Sequence, residues 1–75
     1  MSRKNYLYVV RVAVQVPFAD PTYHMILVEA PSQSQANYLA VVSKLKGANH
    51  PQSLGVTRIT RPEWRELAAN GAEEL

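Results

Sequence analysis

The chain has 75 residues, 47% of them hydrophobic and 19% charged, with a formal net charge of +2 and no cysteine. That is the size and usage of one small globular domain spanning residues 1–75, and it excludes a disulfide framework, a thiolate metal site and a disordered character throughout. A core this small supplies only about 3–5 kcal/mol, so pairing into a homodimer is the stabiliser the length favours, and a cysteine-free chain fits a reducing, cytoplasmic location.

The charges are unevenly placed. Arg3, Lys4, Arg11, Lys44, Lys46, Arg58 and Arg61 precede Pro62, where Asp20 and Glu29 are the only acids, whereas Glu63, Glu66, Glu73 and Glu74 follow it against Arg65 alone. The body is basic and the C-terminal stretch acidic, without a block of like charge.

The opening Met1-Ser2-Arg3-Lys4 and the apolar run behind it have the outline of a targeting segment. Arg11 and Gln15 break that run, and it falls short of the roughly 20 apolar residues that span a bilayer, so a strand is expected and no membrane contact. Residues 5–16 alternate with period two, Tyr6, Tyr8, Val10, Val12, Val14 and Val16 pointing one way, which predicts a long strand with that face in the core. Pro17-Phe18-Ala19-Asp20-Pro21 predicts a chain reversal. Residues 22–30 read as a second strand with Ile26, Val28 and Ala30 inward and Tyr23, Met25 and Leu27 on the reverse face beside Leu7 and Val9.

Ser32 with Gln35 predicts a capping box opening a helix that runs to about Lys46, where Gly47 closes it, with Tyr38, Leu39, Val41, Val42 and Leu45 as its apolar stripe. Residues 48–54 lack periodicity and read as a loop. Residues 55–60 read as a short edge strand. Thr60-Arg61-Pro62-Glu63 predicts a second capping box and helix, with Trp64, Leu67 and Ala68 on one face and Asn70-Gly71 at its end. The expected fold is α+β, in the order β-β-α-β-α. It is a three-stranded antiparallel sheet of order 2-1-3 with one long helix on one face and a short C-terminal helix.

Catalytic groups are sparse. His24 and His50 stand alone, no CxxC or HExxH spacing occurs, and Gly47, Gly55 and Gly71 are dispersed rather than gathered into a phosphate loop. No cofactor or metal is expected, and no enzyme activity. The informative feature is the hairpin's reverse face, where Leu7, Val9, Tyr23, Met25 and Leu27 surround Arg11, too apolar a set for a solvated sheet. Either the second helix folds over it with Trp64 and Leu67 as a lid, or it is left for another protein, with Trp64 and Arg65 as aromatic and arginine anchors. The rival reading is a small RNA- or DNA-binding module built on the cations, Arg58 and Arg61 foremost, with tyrosines for base stacking.

The run Ile26-Leu27-Val28-Glu29-Ala30-Pro31-Ser32-Gln33-Ser34-Gln35-Ala36, a strand entering a helix at Ser-x-x-Gln-Ala, resembles small accessory proteins encoded by phages and plasmids. The closing Pro62-Glu63-Trp64-Arg65-Glu66-Leu67-Ala68-Ala69-Asn70-Gly71 is similar in style. Together they cover under half the chain. The resemblance implies a protein of the kind that includes anti-CRISPR inhibitors, acting by occupying a surface on a host protein complex, and it carries over no functional residue.

Overall fold

A computed structural model describes residues 4–45 and 49–75. The expectations placed on Arg3, Lys46, Gly47 and Ala48, and on the side chains of Lys44 and Leu45, lie outside the described residues.

The alternating β-branched run forms β1 (Tyr6–Val16), the most apolar strand, and it takes the middle of the sheet between β2 (Ala19–Ala30) and β3 (Asn49–Ile59), antiparallel to both. Tyr8, Val10, Val12 and Val14 are buried on the expected face together with Ile26, Val28 and Ala30. Val16, placed in the same row, is exposed at the last pair before the hairpin turn.

The 2-1-3 order survives as the inner part of a larger sheet. A fourth strand, β4 (Glu73–Glu74), adds outside β2 and parallel to it, giving the order β3-β1-β2-β4 and correcting the three-stranded, all-antiparallel expectation. The cause is the turn before it. Gly71 takes a φ of 96°, its N–H donates to Ala68 O at 3.2 Å, and the Ala72 N–H donates to Leu67 O at 3.0 Å. This pair of bonds is a Schellman closure, and it swings the chain back onto β2, where the Leu75 N–H donates to Leu27 O at 3.0 Å.

Two boundaries also move. The hairpin reversal needs only Pro17 and Phe18, since Val16 pairs with Ala19, so β2 starts three residues before its expected Thr22. Asn49 begins β3 where a loop was expected. Its pairing with β1 shifts register between Arg11 and Val12 and again between Ala13 and Gln15, and each shift inserts a residue that destroys period-two patterning while the backbone ladder continues. Pro51 is tolerated because this is an edge strand, as expected of the third strand.

Helix α1 (Gln33–Leu45) starts as expected, with the Gln35 N–H donating to Ser32 Oγ at 3.2 Å. Its orientation differs. Ala36 and Ala40 are fully buried against the sheet, while Tyr38, Leu39 and Val42 of the expected stripe are exposed. The sheet face is already crowded by tyrosine, valine and isoleucine, and close packing matches that bulk with the small side chains of the helix. Helix α2 (Arg61–Ala69) carries both arms of its capping box, Glu63 N–H to Thr60 Oγ1 at 3.4 Å and Thr60 N–H to Glu63 Oε1 at 3.1 Å. It lies on the opposite face of the sheet, where Trp64, Leu67 and Ala68 pack over Val9, Leu27 and Ile59.

Candidate protein-binding surface

Cross-strand pairing arranges the reverse face in rows. Ile59, Leu7 and Glu29 form the first, Thr57, Val9 and Leu27 the second, Gly55, Arg11 and Met25 the third, and Gln52, Ala13 and Tyr23 the fourth. Helix α2 covers Ile59, Leu7, Val9 and Leu27 of the first two rows and leaves Glu29 and Thr57 at their ends exposed. Leu27 is buried completely and Val9 nearly so, Leu7 packs beside them, and Trp64 is held down by an Nε1–H bond to Glu74 Oε1 at 2.9 Å. Of the two arrangements open to the sequence, the lid is therefore the one adopted, and Leu7, Val9, Leu27 and Trp64 are internal packing in this fold.

The lid stops there. Beyond it the third and fourth rows present Met25 at 41% and Tyr23 at 69% exposure on β2, with Arg11 also exposed beside Met25 on the central strand. Arg11 leans toward β3, its Nη2 only 3.3 Å from where a β-carbon on Gly55 would stand. The guanidinium therefore lies across the neighbouring strand, over the one position of that strand without a side chain. A shallow cleft of about 190 Å³ opens between residues 23–25 and the turn at residues 70–73. It is below the roughly 300 Å³ at which pockets begin to hold small-molecule ligands, and matches a single side chain in scale.

The arm continues to the hairpin tip, where Phe18 is fully exposed on a backbone φ of 63°. Proline followed by a positive φ is the type II pattern, whose second position favours glycine, so an aromatic there bears strain without packing in return. Phe18 was not among the sequence-derived site residues, although an aromatic bracketed by Pro17 and Pro21 was the available signal. Leu54, the residue inserted at the first register shift, is a further exposed apolar side chain.

The cations separate. Arg58 stacks on Tyr6 with its guanidinium carbon 3.9 Å from the ring centre, and Lys4 stands 5.7 Å from the same ring, both at the end of the sheet near Pro31 and Ser32. Arg58 pairs across the strands with Tyr8, which puts it on the α1 side. Arg61 lies 3.8 Å from Glu29, which also accepts from Asn5 Nδ2 at 3.5 Å. Arg65 is exposed on α2. The structure thus joins Arg11, Tyr23 and Met25 in one surface and leaves Arg58, Arg61 and Arg65 outside it.

His24 lies 3.6 Å from Glu73 and 3.2 Å from Thr22 Oγ1, a contact that ties β2 to the C-terminal strand. Among the described residues no group of three or more His, Asp or Glu side chains is arranged to hold a metal ion, and no helix is long and apolar enough to cross a membrane. Comparisons with protein-family models, with curated proteins and with solved structures found no match.

Proposed function

We propose that this chain is a non-enzymatic protein-binding module that inhibits or modulates a host protein complex, docking through the arm and the half of the reverse face that α2 leaves open. The carrying observation is the 69% exposure of Tyr23 beside Met25 and Arg11 on a face whose other apolar residues, Leu7, Val9 and Leu27, α2 packs over. Tyrosine, methionine and arginine are the side chains enriched at protein interfaces, and an aromatic–arginine pair is the usual composition of their energetic centres. Phe18 adds a second aromatic at the tip, held in a strained conformation that packing does not explain. The phage- and plasmid-accessory resemblance of residues 26–36 points the same way, toward occupation of a surface rather than turnover.

The test is capture from cell lysate with the tagged chain, treated with nuclease, and compared with Tyr23→Ala and Met25→Ser variants of unchanged circular dichroism. One defined protein complex that survives nuclease and is lost with either variant is the expected result. Captured material that disappears with nuclease, or a complex indifferent to both substitutions, would overturn the reading.

A further inference from the structure

We infer that the partner segment taken by this half-face is acidic and apolar together: a carboxylate held by Arg11, with an adjoining aromatic or long aliphatic side chain laid on Tyr23 and Met25. This deepens the function proposed above and rests on it. Arg11 has no ion-pair partner among the described residues, and the carboxylates that border its face are engaged elsewhere, Glu29 with Arg61 and Asn5, Glu74 with Trp64, Glu73 with His24. An exposed guanidinium lying over Gly55 with no counter-charge among the described residues is a free donor fork, and a carboxylate fits it with two parallel hydrogen bonds.

The flanking surface sets the rest of the chemistry. The guanidinium lies over β3 at Gly55 while Met25 and Tyr23 stand on β2, so a segment laid across the strands meets the cation on one side of β1 and the apolar shelf on the other, about 10 Å or two strand spacings away. The neighbouring cleft of about 190 Å³ admits one side chain of that segment. A nucleic acid is the poorer occupant. Its backbone repeats a negative charge at every nucleotide and gains affinity by neutralising several, whereas among the described residues the uncovered rows hold Arg11 as their one cation, Arg61 being beside Glu29, Arg65 out on α2, Arg58 and Lys4 gathered on Tyr6, and Glu73 on the border.

The experiment selects nine-residue peptides from a random display library on the immobilised full chain. Selected peptides are then titrated by fluorescence anisotropy against the wild type, Arg11→Gln and Arg11→Lys. Enriched peptides should share an aspartate or glutamate next to an aromatic or aliphatic residue. Arg11→Gln should weaken binding tenfold or more at unchanged circular dichroism, and Arg11→Lys should recover only part of it. Replacing the peptide carboxylate by its amide should cost the wild type the same factor and Arg11→Gln almost nothing. Enrichment of neutral or basic peptides, no enrichment, or indifference to Arg11→Gln would overturn the inference while leaving the proposed function to the Tyr23 and Met25 variants. A single-stranded 20-mer oligonucleotide bound through Arg11 would overturn it in favour of nucleic acid, and a dimer in sedimentation that Arg11→Gln dissociates would do so in favour of a second copy of this chain.

Discussion

Phe18 sets local stability against exposure. A non-glycine residue at a φ of 63° works against the clash that keeps L-residues out of the left-handed region, and the ring recovers nothing by burial. Phe18→Gly relieves about 1–2 kcal/mol of left-handed strain against about 0.5–1 kcal/mol of added chain entropy, so it should raise unfolding free energy modestly, read as a higher urea midpoint at unchanged slope, while lowering capture of the partner. A fall in the midpoint would mean that the ring stabilises the arm. Trp64 is the opposite case. Its ring lies on Val9 and Leu27, and its indole N–H reaches Glu74, so Trp64→Phe keeps most of the packing and loses the bond. The expected cost is about 0.5–1.5 kcal/mol by chemical denaturation followed by circular dichroism, well below that of Trp64→Ala. Equal costs would assign the residue's whole contribution to the hydrogen bond.

At the scale of elements, α2 shows which signals are readable. Thr60, Pro62 and Glu63 marked its start and Gly71 its end, and each acts through local geometry that neighbouring residues specify. Gly71→Ala should cost about 1–2 kcal/mol and should also loosen β4, because the turn that needs the positive φ aims residues 73–75 at β2. No atom lies within 4 Å of a β-carbon there, so the penalty is conformational and not steric. Faster exchange of the Leu75 amide in the variant checks the coupling, and an unaltered rate would separate the turn from the strand. β4 itself was not legible, since two residues have no periodicity and what holds them is the edge of a strand more than 40 positions earlier. The same holds for α1. Its apolar positions were readable, but which of them face inward depends on the bulk of the opposing sheet, so Ala36 and Ala40 took the place given to Tyr38, Leu39 and Val42. Residues 49–54 were missed because register shifts hide a strand whose pairing is carried by the backbone.

The shape of the molecule follows from unequal element lengths. Eleven residues of β1 extend roughly 36 Å at strand rise, whereas the 13 residues of α1 and the nine of α2 cover about 20 and 14 Å at helical rise. Neither helix can blanket the sheet, and the molecule is drawn out to 47 × 26 × 17 Å with the hairpin projecting past both. The candidate site half fell on the wrong side of this division in the sequence, where Leu7, Val9 and Leu27 are indistinguishable from Tyr23 and Met25; the reach of α2 alone decides which are core. Stability should divide along the same line. Backbone amides of Val10, Ile26, Leu27 and Val28, buried between the two helices, should exchange only through global unfolding, and those of residues 14–22 should open locally and exchange orders of magnitude faster. Adding the acidic peptides described above should slow exchange at Tyr23 and Met25 and leave the covered rows unchanged. Protection that is uniform along β1 in the free protein would show the arm to be as cooperative as the base, and would remove the physical basis for reading it as a surface that waits for a partner.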